Sequence, residues 1–286
     1  MNERATRAEY LPIEKLRAFE NHPFQVRDDD QMEQLVWSIL SQGVMTPIIV
    51  RPMGNEEYEV ISGHRRVWAC QKAGIAEIPA LIYCLDRDAA TIALVDSNLH
   101  RERILPSEKA FAYKMKLEAM NRRGQRSDLT SSQLATKLDT AAEIGKQQGE
   151  SRDKVYRYIR LTYLIPEILT KVDSEKIAMS PAVEISYLTE AEQYILLDAM
   201  EQNDCTPSHA QTIRMKKLSQ QGQLADETIY TIMAEEKPNH KEQIRLRRED
   251  LRKYFPPGYP EEKIRQDITK ALELLLRQRQ RNRDAR

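Results

Sequence analysis

Two adjacent arginines, Arg65 and Arg66, follow the triplet Ser62-Gly63-His64 in the stretch 61–74, Ile-Ser-Gly-His-Arg-Arg-Val-Trp-Ala-Cys-Gln-Lys-Ala-Gly. Residues 58–61 read as the end of a β-strand. Ser62 then fits a helix N-cap, and Gly74 fits the position just past the helix end. Both arginines fall in the first turn, where the helix dipole is positive and prefers anions. An anion at the helix mouth removes that conflict. Gly63 and the first-turn N–H groups would approach its oxygens, and the arginines would clamp it. The competing reading pairs both arginines with surface acids; the Ser-Gly entry directly after a strand favours the phosphate.

A second group is Asp96-Ser97-Asn98-Leu99-His100-Arg101-Glu102, towards the end of a helix predicted over 86–103. Asn98, Arg101 and Glu102 are spaced i, i+3, i+4 and would share a face. An amide, a cation and an acid together suit a phosphate and its metal, although an exposed polar pair has the same spacing. A third group lies in segments 141–148 and 151–164, joined by Gly149-Glu150. This has helix-turn-helix form, with Ser151 capping the second helix. Val155 and Ile159 would face inward, leaving Arg152, Lys154, Tyr156, Arg157 and Arg160 outward or along the seam. Basic residues beside tyrosines favour DNA over a solvated helical hairpin. Asp153 could accept from a cytosine amino group or support an arginine.

These groups need elements to hold them. Residues 9–16 read as extended, and 22–27 as a loop restricted by Pro23. Asp28, Asp29 and Asp30 supply acids and a cap for a helix over 31–42, whose Met32, Leu35, Val36, Ile39 and Leu40 mark one face before Gly43 ends it. Residues 47–51 form a β-branched strand, and Gly54-Asn55 turns it back into 58–61. A further strand follows at 78–85. From Ile104 strand candidates stop. Helices are predicted over 107–120, 131–137, 141–148, 151–164, 166–171, 180–187, 190–201, 208–220 and 226–234, with a basic turn at 121–128. Residues 235–240 read as a linker, and 261–283 as a final helix. Its stripe of Ile264, Ile268, Ala271, Leu272, Leu275 and Leu276 needs a surface to cover it, on the helical region or on a second copy. The expected class is α+β, with a small mixed domain over 1–103, an all-α domain over 104–235, and a linker with a terminal helix over 236–286.

Composition sets outer bounds. The 286 residues suffice for two or three domains, and the formal charge of zero gives no pointer to nucleic acid. Charged residues make up 31% and aromatics 6%, which favours a helical, modular chain over an all-β one. Cys70, Cys84 and Cys205 have no CxxC spacing, against a disulfide framework or zinc knuckle, and no HExxH pair occurs. With no apolar leader and no membrane-length apolar run, the expectation is a soluble cytoplasmic protein.

With these pieces placed, the chain resembles the ParB/RepB family of DNA-partition proteins. Segment 43–51 is similar to the family's cytosine-side motif, 62–74 to its phosphate motif, 97–106 to its second phosphate and metal motif, and 145–161 to its helix-turn-helix. The resemblance implies a CTP-binding domain with Gln25, Arg27, Gly43, Thr46, Pro47, Ser62, Gly63, His64, Arg65, Arg66, Asn98, Arg101 and Glu102 at the nucleotide. It places Asn98 also at Mg2+, and Ser151, Arg152, Asp153, Lys154, Tyr156, Arg157 and Arg160 at double-stranded DNA. It further implies a palindromic centromere-like site, a homodimer that closes as a clamp, a ParA-type partition ATPase as partner, and association with nucleoid or plasmid. Ser97 stands where the family usually carries an acid tied to hydrolysis, and His64 where it often has Glu, so weak CTP hydrolysis stays open. Two other readings share the fold: a transcriptional regulator, and an ATP-using sulfiredoxin-like enzyme, which needs a cysteine beside the phosphate loop that 62–64 lacks.

Overall fold

The computed structural model describes residues 7–101, 104–127, 133–235, 254–255, 260, 263–264 and 266–272. The chain divides into two compact units, Met1–Glu235 and Glu236–Arg286. The first begins with a five-stranded mixed sheet, ordered β1-β5-β3-β4-β2. The strands are β1 (Arg7–Pro12), β2 (Leu16–Arg17), β3 (Ile48–Gly54), β4 (Glu57–Ser62) and β5 (Glu77–Ile82). Ile48 and Val50 alternate with less buried neighbours along β3, so one face of this strand is core. Asn55 and Glu56, at φ 50° and 59°, turn β3 into β4. Positive φ at both turn residues matches the twist of the flanking strands.

Helix α1 (Asp30–Gln42) starts where the Asp29 carboxylate accepts from the Met32 N–H at 2.9 Å, and stops at Gly43, φ 74°. Met32 and Ile39 are buried, but Leu40 is 62% exposed. It lies one residue beyond Ile39, about 100° round the helix, and so leaves the inward stripe. Helix α2 (His64–Lys72) follows β4, and α3 (Arg87–Asn98) follows β5. Helix α3 ends at Asn98, not at residue 103. Leu99 caps it, and Arg101 N–H donates to the Asn98 carbonyl in the turn beyond.

Among the described residues every regular element beyond α3 is helical: α4 (Pro106–Ser127), α5 (Gln133–Gln147), α6 (Arg152–Arg160), α7 (Pro166–Asp173), α8 (Met179–Ile185), α9 (Glu190–Gln202), α10 (His209–Gln220) and α11 (Asp226–Ala234). A 3-10 turn over Leu161–Tyr163 continues α6. Helix α4 runs through the segment expected as a basic turn, and α5 is one helix where two short ones were expected. Capping boxes at Thr189/Glu192 and Ser208/Gln211 fix the starts of α9 and α10. One core fills the sheet and the inner faces of α1 and α2, and another the bundle from α7 to α11. A third joins Phe19, Phe24, Ile61 and Leu94 to Tyr113, Ile144 and Val155, carrying packing from the sheet layer into the helix-turn-helix.

In the second unit, residues 263–264 and 266–272 are helical. Ile264 and Ile268 are half-buried and Leu272 is exposed. Leu275 and Leu276 of the stripe lie outside the described residues. Among the described residues no helix is long and apolar enough to cross a membrane.

Candidate functional site

The mouth of α2 is built by a glycine. Ser62 still pairs with Ile49 in the sheet, and Gly63, at φ 104° and ψ 20°, is the N-cap in its place. A serine still held in the ladder cannot also cap. Only glycine makes the reversal from strand to helix without strain. Space enforces the same choice, since a Cβ on Gly63 would sit 2.6 Å from the Ile48 Cγ2. The N–H groups of His64 and Arg65 open the helix and have no intrahelical acceptor. At the far end Gly74 N–H donates to the Gln71 carbonyl and Ile75 N–H to Cys70, a Schellman closure with Gly74 at φ 69°.

The two arginines of the first turn do different things. Arg65 reaches Asp29, the α1 cap, at 3.1 Å. Arg66 donates to the carbonyls of Thr46 and Pro47, the latter at 2.6 Å. It therefore braces the loop between Gly43 and β3, and burial lowers its pKa. Arg101 lies over the Phe24 ring at 5.4 Å, and burial lowers its pKa too, with Glu108 opposing and Arg65 adding to the effect. The Gln25 N–H donates to the Glu108 carboxylate at 2.9 Å, so α4 pins the loop that carries Gln25; Arg27 is exposed.

Asn98 is buried, and its amide donates to the Leu94 carbonyl at 2.8 Å and to the Ser97 hydroxyl at 3.2 Å. With both hydrogens committed, its oxygen is the atom left for a cation. Because α3 has already ended, Asn98 and Arg101 do not share a helical face; Glu102 lies outside the described residues. Asp96 does not replace the missing acid at 97, because it pairs with the buried Lys116, which also holds Gln147 at 2.5 Å. Among the described residues no three His, Cys, Asp or Glu side chains group as a metal site. A Mg2+ ion held by the Asn98 oxygen would have to draw its other oxygen ligands from a bound phosphate or from water.

Sequence reading missed His22. Its ring lies against that of His64 with centroids 4.0 Å apart and planes tilted by 53°, a meeting of a loop with the start of α2 that only the fold brings about. The Pro23 restriction beside it was the single local signal. Cys70 lies on the buried face of α2, where burial raises its thiol pKa. An activated thiol needs the opposite shift, so Cys70 is not poised as the nucleophile of sulfiredoxin-like chemistry.

The helix-turn-helix is α5, a turn at Gly149 (φ 67°), and α6. Gly145 lets the turn close, since a Cβ there would meet the Glu150 carbonyl oxygen at 2.5 Å. The Glu150 carboxylate accepts from Lys109 at 2.7 Å and Tyr113 at 2.8 Å, tying the turn to α4. Ser151 caps α6, accepting from the Lys154 N–H at 3.2 Å. Val155 is buried and Ile159 and Tyr156 line the core edge, while Arg152, Asp153, Lys154 and Arg157 are exposed. Arg152 touches Asp153 at 3.2 Å, and Arg157 donates to the Ser180 hydroxyl at 2.8 Å.

Arg160 is held inside the fold. It lies 4.5 Å from the Tyr163 ring centroid and 3.9 Å from that of Tyr187, and donates to the hydroxyl and carbonyl of Ser186. Arg160→Ala is accordingly expected to destabilise the helical bundle by roughly 2–3 kcal/mol, from two cation–π contacts and orphaned hydrogen-bond partners. Urea unfolding measures this, and an unchanged midpoint would show that these contacts do not hold the bundle together.

Residues 1–99 match the ParB N-terminal domain. The chain carries a ParB N-terminal domain. Among ParB relatives, it is 34% identical over 195 residues to a nucleoid occlusion protein of Listeria innocua, covering 68% of this chain and 62% of that protein. It is 32% identical over 185 residues to a probable chromosome-partitioning protein ParB of Pseudomonas putida, covering 65% and 58%. The match thus spans less than two thirds of either relative. A crystal structure of Caulobacter crescentus ParB complexed to the centromeric parS site shares 21% identity, covering 79% of this chain and 98% of that one, with a TM-score of 0.42. A second, of ParB from the same organism with CTP-γ-S, shares 26%, covering 63% and 92%, with a TM-score of 0.32.

Proposed function

We propose that this chain is a CTP-dependent, sequence-specific DNA-binding partition protein. The observation that carries the reading is the left-handed Gly63 entry to α2, which places free N–H groups among Arg65, Arg66 and Arg101. Ile61, at the end of the strand that leads into that mouth, packs in the same core as Ile144 and Val155 of the helix-turn-helix. The triphosphate would lie at the α2 mouth, with the cytosine towards the loop that Arg66 braces through Thr46 and Pro47. Asn98 would be among the residues that hold Mg2+, which would supply positive charge against the phosphates. Residues 1–103 would hold the nucleotide, 104–235 the DNA, and 236–286 a second copy, forming a homodimeric clamp. The DNA would be a palindromic, centromere-like duplex, and a ParA-type ATPase the partner in segregation. With Ser97 bonded to the Leu94 carbonyl and Asp96 to Lys116, hydrolysis would be slow or absent.

Calorimetry with the four nucleoside triphosphates, with and without duplex DNA, tests the reading. CTP is expected to bind in preference to the others. Arg101→Ala should lose roughly 1.5–3 kcal/mol, or about one to two decades in affinity. For DNA, Arg152 opens α6, where first-turn side chains meet base edges. Its alanine variant should lose about 1–3 kcal/mol on a selected site and little on scrambled duplex. Equal binding of all four nucleotides would remove CTP from the proposal, and equal losses on both duplexes would remove base reading from Arg152.

A further inference from the structure

The two imidazoles in contact at the α2 mouth have an unusual hydrogen-bond balance. His22 Nδ1 meets the Phe24 carbonyl at 2.6 Å, and so carries that ring's proton. The His64 ring hydrogen-bonds the Val60 backbone. The remaining nitrogen of each ring, Nε2, is buried and has no partner. Buried polar atoms in folded proteins are nearly always satisfied, so two orphans side by side point to a ligand.

The surroundings select its charge. Arg101, from the turn after α3, bears on both rings, and Arg65 on α2 bears on Arg101; among the described residues Glu108 of α4 is the acid that opposes them at His22. Burial first, then the neighbouring His22 and Arg101, hold His64 down at about 3, and burial lowers His22 as well. A metal cation would meet the same arginine field that keeps a proton away. An anion meets two guanidinium groups and the positive end of α2, and once it has neutralised that field a proton can follow.

We propose that His22 and His64 form a proton-accepting phosphate subsite: when the anion binds, one neutral imidazole takes a proton from solvent, and its Nε2–H donates to a phosphate oxygen. This rests on the nucleotide reading above and adds that pH governs the same site. The sign follows from the protonation states. Each imidazole is neutral before binding and gains basicity on binding, so affinity rises as pH falls through the bound-state pKa. The gain would be complete only below the unbound one. Across the neutral range the effect reaches about tenfold in affinity per pH unit for each proton taken up.

Full-length chain titrated with CTP, in two buffers of different ionisation enthalpy and from pH 6 to pH 8, reads the proton count. The terminal phosphate itself titrates near neutrality. The comparison is therefore between wild type and the His22→Gln and His64→Gln variants, which keep a polar side chain but cannot take the proton. Wild type should take up more protons per CTP than at least one variant, with a steeper rise in affinity at low pH. Identical proton counts and parallel pH profiles would overturn the subsite while leaving CTP binding intact. No CTP binding by wild type at any pH would overturn the nucleotide reading and the subsite with it. Should the variants fail to fold, imidazole nitrogen shifts in wild type decide. Saturation with CTP should move one ring to the imidazolium pattern, and two neutral rings at saturation would sink the proposal.

Discussion

Glu59→Ala should be among the most destabilising single substitutions in the first unit, at about 3–5 kcal/mol. The Glu59 carboxylate is only 1% exposed. It accepts from Arg51 at 2.6 Å, from Arg87 at 3.0 Å and from the Glu20 N–H at 3.4 Å. One carboxylate thus ties β4 to β3, to the start of α3, and to the loop that leads to His22 and Gln25. Its removal leaves Arg51 largely buried and unpaired. The cost comes mainly from that uncompensated charge and less from the lost attraction, because forming the pair required desolvating both partners. The double variant Arg51→Met with Glu59→Met should therefore recover most of the loss. Urea unfolding of the three proteins measures both effects. A single-variant loss below about 1 kcal/mol, of the size expected for an exposed pair, would show that water reaches Arg51 and that the network does not organise the sheet.

Gly63→Ala should damage stability and site together. A left-handed φ costs a residue with a Cβ about 1–2 kcal/mol, and forcing a methyl against packed core adds roughly 1–3 kcal/mol. The contact is with Ile48, which is fully buried in β3, so neither side can give way freely. If the backbone relaxes, α2 shifts, and the first-turn N–H groups and Arg66 move with it. Nucleotide binding should then fall further than the loss of stability explains. The Ile48→Ala background separates the two terms. It removes the crowding methyl but not the φ penalty, so the double variant should be less destabilised than the sum of the singles. Strict additivity would mean that the backbone conformation alone sets the cost.

Much of the fold was legible because it rests on signals that act within a few residues. The Thr189 and Ser208 caps, the Gly43 and Gly74 stops and the Asn55 turn each satisfy local backbone groups, and the elements they bound formed close to where the sequence placed them. The Ser62-Gly63-His64-Arg65-Arg66 run announced a strand-to-helix entry with two first-turn arginines for the same reason, although sheet pairing moved the cap from Ser62 to Gly63. The Gly149 turn and the Ser151 cap of α6 were equally local. The ends of α3 and α4 were not, since no residue at 98 or 121 breaks a helix strongly.

The amino-acid sequence by itself determined which elements form, which of their faces are apolar, and that a phosphate-suited helix mouth precedes a basic helix-turn-helix. Only the tertiary structure decided where each charge goes. It turned Arg66 onto the Thr46 and Pro47 carbonyls, stacked Arg160 between Tyr163 and Tyr187, buried Lys116 against Asp96 and Gln147, and set His22 on His64. Apart from Tyr163, three residues after Arg160, the partners in these pairings lie far apart in the chain, and side-chain spacing along one element carries no information about them. They follow from strand order and from helices packing on a shared core, which bring distant polar groups into low-dielectric contact where each must find a partner.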